Sequence, residues 1–144
     1  ALSADFRVAD YNARFAANFV KLGLHQGFGI SVTLPRIVGT VAASAMLLTG
    51  QRLNAEAAQR IGLGDRLVDG DVREAAITLA EEIAENAPLA VRSVRKTLRE
   101  GLVAEIAAAT EHELSEQQWL RATADAREGI RAVAAREPGR FIGE

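Results

Sequence analysis

The chain has 144 residues, 49% of them hydrophobic and 25% charged, a composition that builds one packed core and argues against disorder. Lys and Arg number 17 against 19 Asp and Glu, a net charge of −2, so no broad field selects nucleic acid or an anionic membrane as partner. Cysteine is absent, which excludes disulfides, thiolate metal sites and thiol nucleophiles and fits a reducing, cytoplasmic setting.

The longest unbroken apolar runs, such as Val41 to Ala43 and Ala45 to Leu48, are too short to cross a bilayer. Asp5, Arg7 and Asp10 interrupt any leader-like run near the start. The first residue is Ala1, as expected of a processed chain or of a piece of a longer one.

In chain order, residues 6–9 and 13–16 read as short strands or extended segments. Gly23, Gly27 and Gly29 then punctuate a turn, since glycine takes positive φ freely. Ile30 to Val38 and Val41 to Leu48 read as two helical stretches parted by Gly39, with Gly50 as the stop. Asn54 is placed to cap a short helix reaching Arg60 and ended by Gly62. Leu63 to Asp69 alternates as a strand does.

The second half reads as almost continuous helix. Asp71 with Glu74 forms a capping pattern ahead of Val72, Ala75, Ala76, Leu79 and Ile83 at helical spacing. Pro88 sits where a helix begins, with Val91, Val94 and Leu98 on one face and Gly101 beyond its end. An alanine-rich helix is expected from about Ala104 to Leu120. Asp125 with Glu128 repeats the capping pattern before a last helix that Pro138 stops. The expectation is an α/β segment over residues 1–70 followed by a helical region over 71–144.

Three stretches, taken in order, resemble the enoyl-CoA hydratase/isomerase (crotonase) family. The first runs from Lys21-Leu22-Gly23-Leu24 through Gly27-Phe28-Gly29 to Leu34-Pro35-Arg36-Ile37-Val38-Gly39. The second is Leu47-Leu48-Thr49-Gly50-Gln51-Arg52-Leu53-Asn54-Ala55-Glu56-Ala57, continuing to Gly62-Leu63-Gly64-Asp65-Arg66-Leu67-Val68. The third is Asp125-Ala126-Arg127-Glu128-Gly129-Ile130, ending near Pro138, Phe141 and Gly143.

That resemblance implies an α/β, crotonase-like fold: the last turns of a spiral of ββα units, then a helical region that assembles homotrimers, often paired as hexamers. It places Ala1 to Asp5 at the end of a helix begun upstream, and both oxyanion-hole donors for a thioester carbonyl upstream of Ala1. Losing one such donor costs roughly 100- to 1000-fold in rate, so these residues alone are expected to be inactive. The implied substrate is an acyl-CoA thioester, with coenzyme A as part of the substrate, no other cofactor and no metal.

Hydratases of this family use two glutamates. The first is implied upstream, and the second falls at Phe19, which cannot exchange a proton and instead suits the wall of an acyl pocket. Gly27 stands where some relatives with other activities carry an aspartate, and its expected use is a tight turn beside the thioester. His25 is the remaining acid–base candidate, against a purely structural loop role. Trp119 is a candidate for the acyl pocket or for helix packing. Arg136 matches a basic position that reaches coenzyme A phosphates, a task suited to the guanidinium fork. His112, on a helix among glutamates, reads as solvated surface. The face formed by Arg92, Arg95, Lys96 and Arg99 is expected to be solvated and balanced by Glu81, Glu82 and Glu85. The alternatives to an atypical hydratase or isomerase are a non-catalytic acyl-CoA-binding homologue and a helical oligomerisation fragment.

Overall fold

A computed structural model describes residues 1–144. Four three-residue strands occur in the first half: β1 (Val8–Asp10), β2 (Arg14–Ala16), β3 (Arg52–Asn54) and β4 (Arg66–Val68). β1 pairs in parallel with β4, Val8 opposite Arg66, while β2 pairs antiparallel with β3, Arg14 opposite Asn54. Arg7 fixes the first pairing. Its backbone N–H and guanidinium both reach Asp65, at 2.7 and 2.9 Å, and its Nε donates to the Leu63 carbonyl at 2.8 Å.

Between the strands run α1 (Ile30–Thr49) and α2 (Ala55–Arg60). α1 is two helical pieces joined at Gly39, whose φ of 78° and ψ of 160° no helix tolerates, as the glycine in the sequence predicts. Gly50 ends it in the left-handed conformation, its N–H returning to the Met46 carbonyl. In length and apolar content α1 meets the requirement for a membrane span, which its short apolar runs conceal. The kink divides it, and its inner face packs Leu34, Ala43 and Met46 with Ala17, Ala58 and Leu63 into the core. Asn54 caps α2 as expected, accepting from the Ala57 N–H.

From residue 72 onward only helices occur: α3 (Val72–Ala84), α4 (Pro88–Leu98), α5 (Leu102–Leu120) and α6 (Ala124–Ala135). Asp71 caps α3 by accepting from the Arg73 and Glu74 N–H groups, and Pro88 is the first residue of α4.

Residues 1–4 form one hydrogen-bonded turn, Ala4 N–H to Ala1 carbonyl. Several expectations are corrected. The strand expected over 63–69 shrinks to 66–68, because Leu63 and Gly64 spend their N–H groups on the Ala58 carbonyl at the end of α2. The cap of α6 is Thr123, accepting from Ala126 N–H, and not Asp125. The basic face of α4 is not merely solvated: Arg95 and Arg99 each donate to Asp5 at 2.8 Å. Partial burial of Asp5 opposes ionisation, but these hydrogen bonds outweigh it and hold the carboxyl below its usual range. Glu82 pairs across with Arg66 instead of with that face.

Two glycines let α6 lie against the 3₁₀ turn Phe19–Leu22. A Cβ on Gly129 would stand 2.4 Å from the Leu22 carbonyl carbon, and one on Gly23 would stand 2.7 Å from the Asp125 backbone. Both obstacles are main chain, so neither can swing aside. Gly129→Ala should therefore lower stability by about 2–3 kcal/mol, the ordinary penalty of overpacking, read as a lower denaturant midpoint in equilibrium unfolding. An unchanged midpoint would contradict this packing.

Candidate active-site cleft

The loop between the 3₁₀ turn and α1 carries two of the expected site residues, His25 and Gly27. Gly23 (φ 66°) closes the turn, and the chain then passes through His25, Gln26, Gly27 and Phe28 to Gly29. Phe28 is 85% exposed at a φ of 64°, a conformation bulky side chains seldom adopt, between two buried glycines.

This loop is held from α5. Glu113, 1% exposed, accepts from Gly29 N–H at 2.7 Å and from Ser31 N–H at 2.9 Å. The first turn of α1 thus gains a carboxylate at the positive end of its dipole. One turn further along α5, the Gln117 side-chain amide donates to the His25 carbonyl at 2.9 Å and accepts from Arg121 at 2.9 Å. The same Gln117 nitrogen would lie 2.9 Å from a Cβ on Gly27, and Ile106 would lie 2.8 Å from one on Gly29. The loop glycines permit that close approach.

His25 is half-buried, and its Nδ1 lies 2.8 Å from the Gln26 carbonyl. A carbonyl only accepts, so Nδ1 carries the hydrogen, and in the neutral imidazole Nε2 is then the acceptor. The His112 ring stands edge-on at 5.8 Å, so that residue, although exposed, belongs to the surroundings of His25.

A cleft of about 560 Å³ opens beside this loop. Val20, Leu24, Leu47, Leu48, Trp119 and Leu120 give it apolar walls, and His25, Gln26, Thr123, Asp125 and Glu144 supply polar groups. His25 and Trp119 are thereby brought together, Trp119 remaining 57% exposed with its indole N–H on Glu116. Phe19 is half-buried and adjoins the cleft through Val20 without lining it, while Gly27 is buried against Gln117. Arg136 lies away from the cleft, as the left-handed residue that ends α6. Sequence reasoning missed Glu113 and Gln117. Their spacing from Ile106 (seven and eleven residues) puts them on one helical stripe, so two polar residues in the register of an apolar contact were the available signal.

The family profile described as enoyl-CoA hydratase/isomerase matches residues 1–143. The chain belongs to the enoyl-CoA hydratase/isomerase family. It is 35% identical to the short-chain-enoyl-CoA hydratase of Clostridioides difficile over 90% of this chain and 84% of that protein. It is also 35% identical to the 2,3-dehydroadipyl-CoA hydratase of Escherichia coli, over 99% of this chain and 56% of that one. A solved carnitinyl-CoA dehydratase from Mycobacterium avium superposes with a TM-score of 0.88 at 32% identity, covering 99% of this chain and 57% of its own. The fold is therefore crotonase-like, α/β with a helical carboxy-terminal region, and the chain spans about half the length of most curated relatives it matches.

One wall of the cleft is the tail that follows α6. Asp125 accepts from Ile142 and Gly143 N–H at 2.8 and 2.9 Å, and its own N–H donates to the Glu144 carbonyl. Glu128 accepts from Arg131 at 2.7 and 2.8 Å and from Arg140 N–H at 3.0 Å. Those bonds, the Arg131 guanidinium first and the Arg140 amide second, hold the Glu128 carboxyl down at about 2. A depressed carboxyl stabilises the fold above its usual range and loses that contribution as the pH falls towards the depressed value. The Arg140 amide resonance in NMR should therefore titrate with a midpoint near pH 2, and Glu128→Gln should abolish that titration. A midpoint in the ordinary glutamate range, about 4.3, would show that the tail is not clasped in this way.

Proposed function

We propose that this chain forms part of an acyl-CoA thioester site and works in hydration or isomerisation of an enoyl-CoA. The observation that carries the reading is the unbroken family match over residues 1–143; the apolar cleft beside His25 gives the acyl group a place. In this reading the oxyanion donors come from residues outside this chain. The histidine Nε2, free to accept, exchanges the proton that Phe19 cannot. Phe19 stands at the position of a family glutamate and, through Val20, backs the apolar wall. Coenzyme A is part of the substrate, and the reading calls for no other cofactor. Arg136 would meet a coenzyme A phosphate only on a neighbouring subunit or past the end of α6, since it lies off the cleft.

Self-association into a homotrimer or hexamer, in the cytoplasm, completes the reading. Leu89, Leu98 and Val103, all strongly exposed on α4 and α5, are apolar surface of the kind subunit contacts cover.

The test is calorimetric binding of coenzyme A and crotonyl-CoA to the gene's full product, followed by a hydration assay. Binding with turnover is expected, and His25→Gln should cut turnover by roughly 100-fold, the lower end for a general acid–base group, with affinity retained. Binding without turnover would favour a non-catalytic acyl-CoA-binding homologue, which Phe19 would suit. Absence of binding would overturn the acyl-CoA reading.

A further inference from the structure

The loop that carries His25 and Gly27 has almost no bracing of its own. Within it, Ile30 N–H returns to the Gly27 carbonyl, His25 Nδ1 to the Gln26 carbonyl, and the Gln26 side-chain amide donates to Ser31 Oγ at 2.9 Å, while the Gln26, Gly27 and Phe28 backbone N–H groups donate to nothing in the chain. Its course is set from outside, by three residues in one stripe of α5. Ile106 packs on Gly29, Glu113 takes the Gly29 and Ser31 amides, and Gln117 takes the His25 carbonyl while its amide nitrogen closes on Gly27. Arg121 in turn holds the Gln117 oxygen, so the amide has one orientation available.

We infer that Glu113 and Gln117 are positioning residues: they aim the His25 ring into the cleft and fix the Gly27 backbone behind it, and the reaction depends on α5 although neither side chain lines the cleft itself. The inference rests on the acyl-CoA reading above for what the loop faces. Its physical basis is that a loop with few hydrogen bonds of its own relaxes when its outside partners are removed, and misplacement by about 1 Å can cost roughly 100-fold in rate. Because neither Glu113 nor Gln117 lines the cleft, binding of the coenzyme A portion should be spared.

The experiment uses the gene's full product and compares wild type with Q117A, E113A and E113Q. Each is assayed for crotonyl-CoA hydration (kcat) and for coenzyme A affinity (Kd). Q117A and E113A should lower kcat by roughly 10- to 100-fold with Kd little changed. E113Q should recover much of the loss, because its amide oxygen still accepts from one of the two N–H groups. If E113A does not fold, Q117A and E113Q decide the matter. Unchanged kcat in folded Q117A, or kcat and Kd failing together, would overturn the inference. Should the wild-type protein neither bind nor turn over the thioester, the acyl-CoA reading falls by itself. Positioning is then judged by NMR: displaced His25 and Gly27 resonances in Q117A, with Ala132 unmoved, sustain it, and unmoved Gly27 overturns it.

Discussion

Two backbone N–H groups at the start of α1, on buried Gly29 and half-buried Ser31, turn toward the interior, and one buried carboxylate from α5 satisfies both. Leaving even one such donor unpaired in a buried setting costs about 1–3 kcal/mol. A carboxylate there is equally dependent, since a buried charge without partners is far more costly than a neutral group. Each group therefore requires the other. The pairing joins residues 82 and 84 positions apart, and so fixes the helical half against the half that contains the strands. The direction of α1 and the end of the loop before it follow from that requirement, and Gln117, one turn further along α5, places His25.

The second constraint is how closely backbone approaches backbone on the far side of the same loop. Gly23 and Gly129 bring α6 onto the 3₁₀ turn with no room for a methyl group on either. The loop is thus gripped at its start by glycine contacts and at its end by Glu113 and Gln117, while its middle faces the cleft. The remaining wall, residues 142–144, depends on Asp125, whose carboxylate gathers the tail amides. A cleft bounded this way takes apolar side chains from the 3₁₀ turn, α1 and α5 and polar groups from the loop and from the start and tail of α6.

Much of the fold was legible in the sequence because it is written in local chemistry. Gly39 and Gly50 break α1 where left-handed or extended backbone is needed. Asn54 and Asp71 cap the helices they precede, and Pro88 opens the next, each through contacts within three residues. The family motifs likewise led to His25 and Trp119, which meet in one cleft. What could not be read were choices between chemically equivalent donors and acceptors settled by distant partners. Asp125 and Thr123 both suit a helix cap; the tail claims the first and leaves the second for the helix. Glu82 could face either α4 or β4, and Arg66 takes it. Glu113 looked like any glutamate in a run of polar helix, because its meaning lies in amides more than eighty residues away.

The central claim is that Glu113 seals the start of α1 and thereby holds the two halves of the chain in register. Amide hydrogen exchange at Gly29 and Ser31 tests it most directly, since hydrogen-bonded interior amides exchange only through opening. Both amides should be strongly protected in the wild-type protein, and Glu113→Ala should release them while Ala132 in α6 stays protected. Rapid exchange at Gly29 and Ser31 in the wild-type protein, or unaltered protection in the variant, would contradict the account.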